Sequence, residues 1–200
     1  MANLNLNHNP HLILASTSVY RRELLQRLRI PFEVVAPGVD ETPLPEEAPS
    51  VLACRLAIAK ARAVAQNRVD SVVIGSDQVA NLMGECLGKP GTHENAFRQL
   101  QRLRGHEVFF ETAVAVVCLK NNFEAHELVR IRVQFRDLED SEIESYLRAE
   151  TPYDCAGSAK SEGLGISLLE VIESNDPTAL VGLPLIATAR LLRQAGLKLL

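Results

Sequence analysis

The chain has 200 residues, 46% apolar and 23% charged, the profile of a soluble globular protein long enough for a substantial core. A net charge of −4 and a pI near 5.8 exclude a global basic field, so no nucleic-acid polymer is expected as partner, and an anionic ligand must meet local Lys and Arg. There is no apolar run of membrane-span length, no secretory signal and no close pair among Cys54, Cys86, Cys118 and Cys155, so a cytoplasmic protein with free thiols and no membrane partner is expected.

Residues 1–10 read as a flexible polar tail, and residues 11–200 as a single domain. Order begins with the apolar run Leu12 to Ala15, a strand that ends in Ser16-Thr17-Ser18 and passes into the helical spacing of Leu24, Leu25 and Leu28. A hydroxyl-rich turn at a helix N-terminus presents N–H groups and a favourable dipole to an anion, and Arg21 and Arg22 add charge, so a phosphate fits here. A serine in this turn serves equally as the helix N-cap, and both uses fit one turn. Residues 30–36 read as a second strand, followed by a proline-rich loop that carries Asp40 and Glu41, where acids are usually solvated. Residues 50–66 form an amphipathic helix that Ser50 can cap and that carries Lys60.

The run Val72-Val73-Ile74-Gly75-Ser76-Asp77 then delivers a carboxylate at the C-terminal end of a buried strand, where ligands gather in open α/β sheets. A plain turn with an exposed acid is the alternative. Residues 79–82 continue towards a hairpin turned at Gly84 and Glu85, and residues 86–91 make a glycine-rich loop holding Lys89. That loop lacks the spacing and the Ser or Thr of a Walker loop. Thr92 caps a helix through Leu103; residues 107–119 and 127–135 are strands joined at Asn121-Asn122; and a helix begins at Asp140 or Ser141, with Ser141 and Glu144 as a capping box, and stops before Pro152. This stretch reads as a mixed or second lobe with antiparallel pairing. Residues 153–165 combine three glycines with other small residues, which lets backbone approach a ligand. A short strand at 168–172, a turn or helix start at Asp176-Pro177, and a last helix opened by Gly182-Leu183-Pro184 complete an α/β order of elements.

Taken together, Leu14-Ala15-Ser16-Thr17-Ser18 with Arg21 and Glu23-Leu24-Leu25, Asp40-Glu41, Lys60-Ala61, Gly75-Ser76-Asp77, Gly88-Lys89-Pro90, Thr112, Ala156-Gly157 and Gly182-Leu183-Pro184-Leu185 resemble the Maf-type nucleotide pyrophosphatases in order and spacing. Gly75-Ser76-Asp77-Gln78-Val79 and the run from Cys155 to Gly163 resemble the branch of that family acting on 7-methyl-GTP, not the one acting on dTTP and UTP. Val19 departs from the family's usual proline, and Tyr20 stands where the branch has tryptophan, keeping an aromatic ring.

The resemblance implies an inosine-triphosphatase-like, elongated mixed α/β sheet with helices, two lobes flanking a central cleft, and a homodimer. It implies hydrolysis of a nucleoside triphosphate to monophosphate and pyrophosphate with a divalent cation, Mg²⁺, Mn²⁺ or Co²⁺, removing modified nucleotides from the cellular pool. Carried onto this chain, Ser16, Arg21, Lys60 and Lys89 bind phosphate, Glu41 and Asp77 bind the cation, and Asp77 is the proton acceptor. The base falls to Tyr20, Gln78 and Glu162. Methylation at N7 gives the purine a positive charge that favours an aromatic face and a nearby acid, the pair that Tyr20 and Glu162 offer, while Gln78 can bond the base edge. Cys155 reads as a small packed residue, not a nucleophile. Three other readings stand beside this one: a non-catalytic nucleotide-binding regulator of cell division and septum formation, a nucleotidyltransferase, and a family member preferring dTTP or UTP. The first has no need of Asp77, and the second needs an acceptor in place of water.

Overall fold

The computed structural model describes residues 10–200, so the tail expected over residues 1–10 lies, but for its last residue, outside the described residues. A strand covered on both faces must be apolar throughout, and β1 (Leu12–Ala15) and the opening of β3 (Val72–Leu82) meet that condition, every residue being buried. β1 pairs in parallel with β2 (Glu33–Val35) on one side and with β3 on the other, where Ala15 faces Gly75. From β3 onward all pairing is antiparallel: β4 (Glu85–Leu87) and β5 (Glu107–Cys118) lie on β3, β6 (Phe123–Phe135) on β5, and β7 (Leu169–Glu173) on β6. The order β2-β1-β3-β5-β6-β7, with β4 beside β3, makes one mixed sheet among the described residues. β3 is the seam between its parallel and antiparallel halves, and it carries Asp77.

Helices cover this sheet in two lobes. In the first, α1 (Val19–Gln26) and α5 (Leu185–Gln194) bring Leu24, Leu25, Leu191 and Leu192 onto one face. On the opposite face α2 (Pro49–Ala65) packs Leu52, Leu56 and Val64 against Ile13, Val73 and Val117. The second lobe lies further along the same long strands, where α3 (His93–Leu103) and α4 (Asp140–Glu150) bury Leu100, Leu103, Ile143 and Leu147 with Phe110, Ile131 and Phe135. The α/β class and the mixed sheet with two lobes are as expected.

One contact sets the first lobe's geometry. A Cβ on Gly75 would lie 2.2 Å from the Ala57 carbonyl oxygen and 2.6 Å from the Ala61 nitrogen, so only a glycine lets the backbone of α2 rest directly on β3.

Four local expectations change. The cap of α2 is Ala48, not Ser50, because Pro49 takes the first helical position, where its fixed φ and missing N–H cost nothing. The capping box of α4 joins Glu139 to Glu142, not Ser141 to Glu144, with the Glu139 N–H donating to Glu142 Oε2 at 2.9 Å. β3 runs unbroken to Leu82, and β6 starts at Phe123, earlier than expected, because Cys118 of β5 already pairs with Phe123. No helix among the described residues is long and apolar enough to cross a membrane.

Candidate active site

Where the two lobes meet, a cavity of about 560 Å³ opens, and all nine residues singled out from the sequence line it: Ser16, Tyr20, Arg21, Glu41, Lys60, Asp77, Gln78, Lys89 and Glu162. Its apolar walls come from Leu52, Leu56, Val79 and Leu87.

Because α2 lies so close to β3 at Gly75, the Lys60 side chain reaches Asp77 two residues further on. Asp77 lies in the middle of β3 and not at its C-terminal end as expected, because pairing with β4 and β5 extends the strand to Leu82. Lys60 Nζ stands 2.6 Å from Asp77 Oδ1 and 2.6 Å from Glu41 Oε1. Lys60 and Asp77 are both buried, whereas the Glu41 side chain is half exposed on its loop. Partial burial by itself raises the Glu41 carboxyl, but the hydrogen bond and charge of Lys60, helped by Lys89 and Arg21, outweigh it and hold the group below its ordinary value. Two hard carboxylate oxygens on one ammonium suit a divalent cation that takes its other ligands from phosphate and water. Among the described residues no group of three or more His, Cys, Asp or Glu is arranged to hold a metal, and Glu41 and Asp77 are both paired with Lys60.

The turn after β1 is braced by its own serines. Ser18 is the N-cap of α1, its Oγ accepting from Arg21 N–H, and Ser16 Oγ accepts from Ser18 N–H at 3.1 Å. Ser16 is buried at the cavity wall, beside the N-terminus of α1, where the dipole favours negative charge. Arg21 turns back and donates from Nε to the Gly182 carbonyl at 2.9 Å. Burial lowers its pKa, opposed by Asp77 and Glu41. Lys89 enters from the opposite loop, which is fixed by Gln99 donating to the Gly88 carbonyl, Asn95 donating to the Pro90 carbonyl, and Gly91 N–H donating to the Tyr153 carbonyl.

At the cavity's other end stand Tyr20, Asp154, Cys155 and Glu162. Burial first, then Cys155 and Asp154, raise the Tyr20 phenol, so its ring is neutral. Burial, with Asp154, pushes the Cys155 thiol up to about 12, which fits a packed thiol and not a nucleophile. Burial also raises Glu162, against the pull of Lys160. Gln78 is more constrained than its sequence suggests. Its Nε2 shares two N–H donors among three acceptors, Thr112 Oγ1 and the Ala179 and Leu180 carbonyls, at 2.9 to 3.0 Å, which leaves Oε1 as the atom able to meet a further polar group.

Some contributors had no role assigned from the sequence. The one Ser76 hydroxyl hydrogen lies between the Ala113 and Gly182 carbonyls, at 2.8 and 3.1 Å, and Thr112 donates to that of Ala179, so both tie the 3-10 turn Ala179–Val181 to the sheet beneath the cavity. Asp154 and Cys86 also line the wall. Ser76 and Thr112 were visible as members of recognised motifs, but their partners were not, since those carbonyls lie 37 to 106 positions away along the chain.

The model of the family described as "Maf-like protein" matches residues 11–195 of this chain. Among curated relatives, a 7-methyl-GTP pyrophosphatase of Polaromonas sp. (strain JS666) is 67% identical over 94% of this chain and 86% of its own length. Proteins of that same name from Albidiferax ferrireducens and Paraburkholderia xenovorans are 64% and 60% identical, covering 94% and 98% of this chain and 95% and 97% of theirs. Among solved structures, a Ham1 protein of Staphylococcus aureus aligns with a TM-score of 0.47 and 17% identity, over 64% of this chain and 72% of that one.

Proposed function

This chain belongs to the Maf family, and from that premise we propose that it is a nucleoside triphosphate pyrophosphatase hydrolysing 7-methyl-GTP to 7-methyl-GMP and pyrophosphate. The observation that carries the reading is the cavity's polarity. One end gathers Arg21, Lys60 and Lys89 around Glu41 and Asp77, and the other sets Tyr20 beside Glu162. A triphosphate with a cationic base has that same division of charge.

In this reading the phosphates lie against Arg21, Lys89, the Ser16 hydroxyl and the free N–H groups of α1. Asp77 accepts a proton from the water that attacks the α-phosphorus, and the Lys60 ammonium, 2.6 Å away, holds the carboxylate in position for that task. A divalent cation held by Glu41 and Asp77, such as Mg²⁺, Mn²⁺ or Co²⁺, would supply charge to phosphate oxygens. As the bond to the β-phosphate breaks, pyrophosphate leaves with its charge met by Lys89 and Arg21. Tyr20 stacks the base, Glu162 offsets its positive charge, and Gln78 Oε1 accepts from a base N–H.

The test is a panel of normal and modified nucleoside triphosphates assayed for pyrophosphate and monophosphate. The expected result is preference for 7-methyl-GTP, and a loss of about 10²- to 10⁴-fold in kcat for Asp77→Asn. Equal rates for wild type and Asp77→Asn would remove Asp77 from catalysis, and preference for dTTP or UTP would move the protein to the other branch.

Two further parts belong to the same proposal. The enzyme works in the cytoplasm, a compartment that suits four free thiols at Cys54, Cys86, Cys118 and Cys155. It also works as a homodimer, and a monomer mass by light scattering across micromolar concentrations would reject that part.

A further inference from the structure

Lys160 lies next to the base end of the cavity without lining it. Its Nζ is 5.7 Å from the centroid of the Tyr20 ring. Its ion pair, among the described residues, is with Glu150 Oε2 at 3.3 Å and not with Glu162. Yet Lys160 and Glu162 feel each other: the lysine's charge lowers the Glu162 carboxyl, and Glu162 raises the lysine.

Glu150, the last residue of α4, is built into this position. Its Oε1 accepts from Leu164 N–H at 2.6 Å, while the Lys160 N–H donates to the Tyr146 hydroxyl at 3.0 Å. Both ends of the turn that carries Glu162 are thus fastened to α4. A Cβ at Gly163 would fall 2.5 Å from Glu150 Oε1, so the loop rests directly on that carboxylate. The Glu150 and Lys160 side chains are only 18% and 27% exposed, which limits screening of their pair by water.

A free ammonium here could pair with Glu162 and cancel a negative charge beside the Tyr20 ring, where a cationic base would stack. We propose that Glu150 is a positioning residue for substrate selection: by holding the Lys160 ammonium it keeps Glu162 available to the positive charge of an N7-methylated purine. The proposal rests on the reading of Tyr20 and Glu162 as the base end.

The test compares KM and kcat for 7-methyl-GTP and for GTP, whose base is neutral, in wild type and four variants of the full chain. Glu150→Gln keeps an acceptor for Leu164 N–H but drops the charge. It should raise KM for 7-methyl-GTP by about three- to tenfold, the span of a partly exposed charge contact, with kcat and the GTP constants unchanged. Adding Lys160→Met to Glu150→Gln removes the competitor and should restore the wild-type ratio, which a merely displaced loop would not do. Lys160→Met alone should give a ratio at least as high as wild type, and it stands as the test if Glu150→Gln does not fold. An unchanged ratio in Glu150→Gln, a double variant as poor as Glu150→Gln, or a lower ratio in Lys160→Met overturns the proposal. Glu162→Gln separates the two levels. If it leaves the ratio unchanged, the base-end reading itself falls; if it lowers the ratio while Glu150→Gln is inert, only the role of Glu150 falls.

Discussion

One ammonium serves two carboxylates at equal distance, but the two are not equivalent. Asp77 is buried and sits in the middle of an eleven-residue strand, whereas Glu41 hangs on a loop with half its side chain in water. Any rearrangement on binding therefore falls to Glu41, and Asp77 stays where the sheet puts it. At the opposite end, Glu162 titrates above its ordinary value, about 4.3 for an unperturbed glutamate, chiefly because burial disfavours its charged form. A raised pKa means that the proton binds at higher pH, so the Glu162 charge, which the proposed function sets against the base, disappears before ordinary carboxylates protonate. As pH falls from neutral, the ratio of 7-methyl-GTP to GTP hydrolysis should decline from a higher pH in wild type, while Glu162→Gln should show a low, flat ratio. A wild-type ratio independent of pH down to the ordinary carboxylate range would remove Glu162 from base selection. Residue by residue, the site's membership was legible in the sequence because its charged groups recur within recognisable segments. What Gln78 does with its amide was not, since the Ala179 and Leu180 carbonyls lie about a hundred residues away and only the folded sheet brings them under it.

Among the elements, the contact between α2 and β3 bears most on chemistry. Replacing Gly75 with alanine puts a methyl group into the helix backbone, and overpacking of that kind costs about 1–3 kcal/mol or more. The helix must shift away from the strand, taking Lys60 with it. Gly75→Ala should therefore lower the denaturation midpoint and also reduce kcat in the fraction that remains folded. Normal kcat in folded Gly75→Ala would show that the Lys60–Asp77 distance does not depend on this contact. The sequence supplied the strand, turn and helix of residues 12–26 and the Thr92 cap of α3 because those signals are local. It misplaced the capping box of α4, though not the helix start at Asp140, because Ser141 and Glu144 imitate such a box. The true register follows from burial: Leu138, just ahead of the Glu139 cap, and Ile143, in the helix's first turn and a half, both enter the second lobe's core as a hydrophobic staple. Which of two overlapping caps is used depends on what lies beneath the helix.

For the molecule as a whole, the cavity draws its walls from both lobes. Ser16, Arg21 and Lys60 belong to the elements around β1 and α2, whereas Lys89, Asp154 and Glu162 come from the loops flanking α3 and α4. A ligand that fills it must tie the lobes together. A 7-methyl-GTP analogue with a methylene between the α- and β-phosphorus should stabilise the protein by about 2.7 kcal/mol at a hundredfold excess over its Kd. Hydrogen exchange should slow at α1 and also across residues 153–163. Protection confined to one lobe would mean that the nucleotide does not span the cavity. Parallel pairing of β1 with β3, and their contact with later segments, could not be assigned from residue patterns, because such pairings join stretches whose own sequences are self-sufficient.

The hydrogen bond from Arg21 Nε to the Gly182 carbonyl joins residues separated by 161 positions, and the same carbonyl accepts from Ser76. During synthesis Arg21 emerges 161 positions ahead of its anchor. A nascent chain can pair β5 with β6 and pack α2 on β3 well before that anchor appears. Until Gly182 leaves the ribosome, however, Arg21 lacks this bond, so a growing polypeptide carries an unfinished cavity wall over all the elongation that separates the two residues.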